Sequence, residues 1–247
     1  MAGHSKWANI RHRKGRQDAK RGKLWSKCSR AIIVAAQQGG ADPEYNVTLR
    51  YAIDAAKAAN MPKDNIAKAV KKGAGLDGSA ERFEEVRYEG YGPGGVAILV
   101  DTLISNPQKA APEIREAFDK NNGKLGQSGS VSFGFTHQGL IFISSEAISE
   151  DALMELALES GADDVTEEDG LWQITCAPAD FITLKDALEA AELPLENAEL
   201  TWTPQTMVQC DEKIGRQILR LIDVLDDHDD VQAVHHNAEL PEASLEG

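Results

Sequence analysis

The residues best suited to chemistry in this 247-residue chain are cations gathered at one end. His4, Lys6, Trp7, Arg11, His12, Arg13, Lys14, Arg16, Lys20, Arg21, Lys23, Lys27 and Arg30 fall within the first thirty positions, where Asp18 is the only acid. Lys and Arg hold phosphate oxygens, and Trp and His faces stack on unpaired bases, so this is the composition of a nucleic-acid surface. For Trp7 a second reading stands beside stacking, namely packing on the adjoining helices, because aromatic side chains more often pack.

Other constellations carry less. Asp226, Asp227, Asp229 and Asp230 surround His228, with His235 and His236 nearby. Carboxylates at adjacent helix-end positions splay apart and the calcium-loop spacing with its Gly is missing, so a solvated acidic turn is expected rather than a metal site. A second use for that turn is to dock the basic arm, in cis or from another copy, until nucleic acid competes. Gly73-Ala74-Gly75-Leu76-Asp77-Gly78 fits G-x-G-x-x-G, but it closes a helical pattern instead of following a strand, which excludes the dinucleotide reading. Tyr91-Gly92-Pro93-Gly94-Gly95 reads as a tight strand connection needing positive φ, or as a place of close backbone approach to a partner. No Walker, H-E-x-x-H or G-x-S-x-G sequence occurs, and no motif sets a nucleophile beside a base. The expectation is a protein that is not an enzyme and holds no cofactor and no metal.

Charge partition supports the nucleic-acid reading. Residues 1–72 carry 16 Lys and Arg against 5 Asp and Glu, net +11, while the rest of the chain is net −25 and the whole is −14. Screening over roughly 8–10 Å lets a basic end act beside an acidic body. Cys28, Cys176 and Cys210 are odd in number and lack C-x-x-C spacing, which points to reduced packing residues. With no apolar leader and no long apolar run, a cytoplasmic protein without membrane contact is expected.

The elements that must position these residues read as follows. Leu24, Cys28, Ala31, Ile32 and Ala35 form one apolar stripe stopped by Gly39-Gly40, and helices follow over 46–59 and from Pro62, whose Ile66, Ala69 and Val70 face inward. Lys71 and Lys72 complete a cationic helix end. Residues 1–15 have little to bury and read as an arm, and 73–80 as a linker. Strands are expected over 83–88, 96–102 and 131–135, with a helix over 112–121. Strands over 140–144, 163–166, 172–176 and 198–203 and helices over 150–160 and 180–191 then spell βαββαβ, the ferredoxin-like order. A helix over 211–225 and a strand over 231–235 would complete the earlier ββαβ segment. The fold class is therefore α+β. It comprises an arm and three-helix bundle (1–75), a middle α+β domain (81–137 and 205–238), and a ferredoxin-like domain (138–204) inserted into it.

Several long motifs also carry a resemblance. Met1-Ala2-Gly3-His4-Ser5-Lys6-Trp7-Ala8-Asn9-Ile10-Arg11-His12-Arg13-Lys14, Ala58-Ala59-Asn60-Met61-Pro62-Lys63-Asp64-Asn65-Ile66, Tyr88-Glu89-Gly90-Tyr91-Gly92-Pro93-Gly94-Gly95, Gly129-Ser130-Val131 and Leu225-Asp226-Asp227-His228-Asp229-Asp230-Val231-Gln232 resemble the YebC/PmpR family, which includes the mitochondrial translational activator of cytochrome c oxidase. The resemblance implies three domains, no known enzymatic activity, and a regulator of gene expression that binds nucleic acid. Some members are described as probable DNA-binding transcriptional regulators. Others look like translation factors that act at the ribosome and relieve stalling, so DNA and ribosomal RNA both stand as partners, with a protein-interaction module as a third reading. Asn106-Pro107-Gln108-Lys109-Ala110 departs from the arginine-bearing loop of relatives, where Lys lacks the guanidinium fork.

Overall fold

The computed structural model describes residues 21–76, 78 and 82–245. The arm cations from His4 to Lys20 lie outside the described residues. The chain forms two compact units, one spanning Phe133–Met207 and the other holding the described residues on either side of it.

In the larger unit the bundle comprises α1 (Arg21–Gly39), α2 (Val47–Ala58) and α3 (Lys63–Gly73). α1 stops where Gly40 takes φ +88° and its N–H bonds back to Ala36. The turn into α2 is tied by Asn46, which is buried. Its Oδ1 accepts from the Leu49 N–H at 3.0 Å as an N-cap, and its Nδ2 donates to the carbonyls of Ala35 and Gly40, each at 2.8 Å. One side chain thus satisfies the exposed ends of two helices. α1 and α3 approach closely at Gly73, where a Cβ would fall 2.5 Å from the Ile33 carbonyl oxygen. Ile32, Ala35, Leu49, Ala56, Ile66 and Ala69 form the small core.

The same unit contains a four-stranded sheet, β3-β1-β2-β9, made of β1 (Glu84–Tyr91), β2 (Ala97–Ile104), β3 (Lys124–Leu125) and β9 (Val231–His236), with antiparallel neighbours. α4 (Pro107–Lys120) and α7 (Glu212–Asp226) cover one face, burying Ile98, Val100, Ile114, Phe118, Ile218 and Leu221. β1 and β2 are joined through Gly94 and Gly95 at φ +72° and +77°, conformations that disfavour any residue with a Cβ. The close approach here is internal: a Cβ on Gly92 would meet Ile218 at 2.6 Å.

The Phe133–Met207 unit holds β4 (Phe135–Ser144), α5 (Glu150–Glu159), β5 (Ala162–Glu168), β6 (Leu171–Cys176), α6 (Phe181–Ala190) and β7 (Leu195–Pro204). Its antiparallel order β5-β6-β4-β7 is ferredoxin-like, so the α+β class and the βαββαβ motif are both present. The larger unit resumes with β8 (Val208–Gln209), which pairs with β10 (Ala238–Glu239), and closes with the short α8 (Glu242–Leu245).

Three expectations are corrected. Residues 131–135 are not a strand of the first sheet: Ser132–Gly134 is a 3-10 turn and Phe135 begins β4. The third partner in that sheet is the two-residue β3, held against β1 at Gly90 and Tyr91. β4 itself begins five residues before the expected position, because Phe135 to Gly139 pair with the far end of β7. Finally, 106–110 is not a loop but the cap and first turn of α4, with Asn106 at the N-cap and Pro107 at N1, where a missing N–H costs nothing.

Candidate nucleic-acid interface

Of the cations within the first thirty positions, Lys23, Lys27 and Arg30 have described side chains, and all three sit on one stripe of α1 facing the end of α7. The Lys27 Nζ lies 2.9 Å from Asp226 Oδ1, and Arg30 pairs with Asp230. The Lys23 Nζ donates to the Asp227 carbonyl at 2.6 Å and lies 3.7 Å from its carboxylate. Arg30 also donates to the Leu103 carbonyl at 3.3 Å, and its guanidinium lies over the Phe83 ring at 5.4 Å. The acidic turn is therefore engaged by the helix that follows the arm. His228 bridges in another direction, its Nε2 3.0 Å from Glu113. Among the described residues no His, Cys, Asp and Glu side chains cluster as a metal site would require.

Spacing explains the arrangement. At 100° per residue, Lys23, Lys27 and Arg30 share one side of α1, while Gly22, Trp25, Ser26, Ser29 and Ile33 share another roughly 100° away. This second side faces α3, and between them runs an open groove of about 610 Å³. Its floor includes Trp25, Ile33, Met61 and Ala69, and Lys68, Lys71 and Lys72 stand along it. The Trp25 indole is fixed by its Nε1, which donates to the Ala59 carbonyl at 3.0 Å. Sequence reasoning missed this groove. Lys71 and Lys72 read only as a favourable helix end, and nothing in linear spacing joins residue 25 to residue 68.

Two acidic side chains, one buried and one half-buried, are tied into the sheet of the larger unit. Glu89 is 5% exposed, and its carboxylate accepts three backbone N–H bonds, from Gly129 at 2.7 Å, Val131 at 2.8 Å and Ser132 at 2.9 Å. Burial penalises its charge, but the three N–H bonds outweigh that and hold the carboxyl below the usual Glu range. Asp101 behaves alike: burial opposes ionisation, while His235 Nε2 at 3.3 Å and the Arg87 Nε at 2.6 Å hold it low. The thiols run the other way. Burial raises Cys28 and pushes Cys176 up to about 11, so neither is a ready nucleophile.

The model of the TACO1/YebC protein N-terminal domain matches residues 5–76, and that of the TACO1/YebC second and third domain matches residues 83–238. The chain belongs to the TACO1/YebC family. It is 53% identical over 247 residues to a probable transcriptional regulatory protein of Rhodopirellula baltica, covering 99% of each chain. It is 52% identical to one of Methylibium petroleiphilum, covering 98% of this chain and all of that one. The crystal structure of a conserved hypothetical protein from Aquifex aeolicus superposes with a TM-score of 0.78 at 44% identity, over 91% of this chain and 92% of that one. These TACO1/YebC relatives match the chain along nearly its whole length, so the bundle and both sheets belong to one shared architecture.

Proposed function

We propose that this TACO1/YebC protein is a non-enzymatic regulator of gene expression that binds nucleic acid through its N-terminal arm and bundle. The observation that carries the reading is the net +11 of residues 1–72 on a chain of net −14, a local cationic field where phosphate is the natural counter-charge. The names of the bacterial relatives, probable transcriptional regulatory proteins, support a regulatory role. The cations of the arm, Lys6, Arg11, Arg13, Lys14, Arg16 and Lys20, supply the phosphate contacts, while Lys23, Lys27 and Arg30 tie the bundle to the acidic turn.

A second reading, action at the ribosome, is favoured by the bundle surface. Its exposed charged side chains include Lys57, Lys63, Lys68 and Lys71, point charges that track a backbone, whereas sequence readers place Asn, Gln or Arg in the major groove. Reversing Lys6, Arg11, Arg13 and Arg16 to Glu is expected to abolish binding of duplex DNA and of RNA in anisotropy titrations. With about five phosphate contacts, log K should fall against log salt with a slope near −4 to −5 on duplex DNA. Sedimentation in lysate with and without RNase then separates the two targets. A preference of ~10³ or more for one operator without ribosome association supports transcription, and RNase-sensitive co-sedimentation with weak sequence preference supports the ribosome. Affinity that ignores both salt and charge reversal overturns the nucleic-acid reading itself.

A further inference from the structure

We propose that the groove between α1 and α3 is a binding subsite for a short stretch of single-stranded nucleic acid, with an unpaired base against Trp25 and its flanking phosphates on Lys68 and Lys71. The proposal rests on the nucleic-acid reading above and gives it a strand preference. Three observations point to this occupant. The groove, open to solvent, has a volume of about 610 Å³, within the ~300–1,000 Å³ typical of small-molecule sites. Its chemistry is divided: Trp25, Ile33, Met61 and Ala69 make an apolar and aromatic floor, the exposed Lys68 and Lys71 stand at the rim, and none of the described lining residues is acidic. A ligand with a flat apolar part next to negative charge complements this lining, which a nucleotide offers and a cationic peptide does not.

The third observation is preorganisation. The Trp25 ring is oriented before any ligand arrives by its bond to the Ala59 carbonyl, so stacking on it costs little side-chain entropy. α1 and α3 are held in contact at Gly73, where a side chain would strike Ile33 and Ala36. At the N-terminal end, Gly22 leaves space, with no atom of the other described residues outside its own turn of helix within 4 Å of where a Cβ would lie. A base inside a duplex cannot reach a floor of this kind without leaving the stack, whereas a single strand presents it freely.

The test uses the full chain and two probes, a 12-nucleotide oligouridine and a 12-base-pair duplex, titrated by fluorescence anisotropy. Lys68→Glu with Lys71→Glu alters only exposed side chains. It is expected to weaken oligouridine binding tenfold or more and to lower its salt slope by about 1.4, the value for two contacts on a single strand, while duplex affinity falls severalfold less, by the loss of local positive charge alone. Trp25→Leu keeps the apolar floor but removes the ring, and is expected to cost the single strand about five- to hundredfold. Photocrosslinks from a 4-thiouridine oligonucleotide should map to residues 22–33 and 61–72. Equal losses on both probes, or crosslinks confined to other regions, overturn the subsite. So does competition by poly-glutamate as effective as that by oligouridine, since the groove would then be a general polyanion site. If the unaltered protein binds neither probe, it is the nucleic-acid reading that fails; if it binds both and the Lys68 and Lys71 variant matches it, only the groove assignment fails.

Discussion

Glu89 shows how much a single side chain can organise. It sits in a Tyr-Glu-Gly-Tyr-Gly segment whose glycines draw the eye, yet the carboxylate is what holds the 129–132 turn on the sheet, through three backbone donors. Gln is the informative replacement, because its amide keeps one acceptor oxygen and turns an NH2 toward donors that need an acceptor. Hydrogen bonds to a charged group contribute roughly 1.5–3 kcal/mol each, and some are retained, so Glu89→Gln is expected to destabilise the larger unit by about 2–3 kcal/mol in urea unfolding. The pH dependence has a definite sign. A carboxyl whose folded pKa lies below its unfolded value adds stability above the unfolded value and loses it as pH falls through the folded one. Glu89 and Asp101 both shift this way, so unfolding temperature should drop on acidification below about pH 4.3, the ordinary Glu value. The drop should be smaller in Glu89→Gln, and an identical acid profile would show that Glu89 is not ionised in the fold.

At the scale of elements, periodicity made the long pieces legible and charge made them ambiguous. The stripe from Leu24 to Ala35, the Asn46 start of α2, and the six elements of the Phe133–Met207 unit all follow from period 3.6, period 2 and turn residues. The two-residue β3 carries no period at all, and the 131–135 segment was apolar enough to imitate a strand while serving as the turn bound by Glu89. The α1 cations were legible as cations, but their partners lie about two hundred residues away, a distance that no local pattern spans. Exposure decides what each pair is worth. The Lys23 and Asp227 side chains are 46% and 43% exposed, so their coupling should stay below about 0.5 kcal/mol. The Arg30 and Asp230 side chains are 22% and 17% exposed, and the Leu103 carbonyl and the Phe83 ring add to the arginine. A double-mutant cycle with Arg30→Ala and Asp230→Ala is expected to give about 1–2 kcal/mol of coupling. Equal couplings for the two pairs would show that exposure does not set what these contacts contribute.

At the scale of the whole molecule, one unit interrupts the other in sequence, and each described strand pairs only with strands of its own unit. β4 is one of the two inner strands of the interrupting unit, flanked by β6 and β7, and its first residues pair with the last of β7: Phe135 with Pro204 and His137 with Trp202, the latter pair's rings stacking at 4.8 Å. The Gln205 N–H closes the entrance by bonding the Gly134 carbonyl at 2.9 Å. A segment cut at 138 would lose this end of the sheet, whereas 133–207 keeps every strand pairing of β4, β5, β6 and β7. The sheet of the larger unit is different, because its strand β9 and helix α7 come from beyond residue 207 and supply Ile218, Leu221, Leu225 and Val231 to the core. Residues 133–207 expressed alone are therefore expected to fold, with dispersed amide resonances and a cooperative thermal transition. Residues 82–132 alone should remain unfolded, since β2 would lose β9 and its buried face would meet water. Joining 132 to 208 through a short Gly-Ser linker should restore folding of the larger unit, because the break then costs only loop closure. A collapsed spectrum for 133–207, or a folded one for 82–132, would show that the chain is built from other pieces.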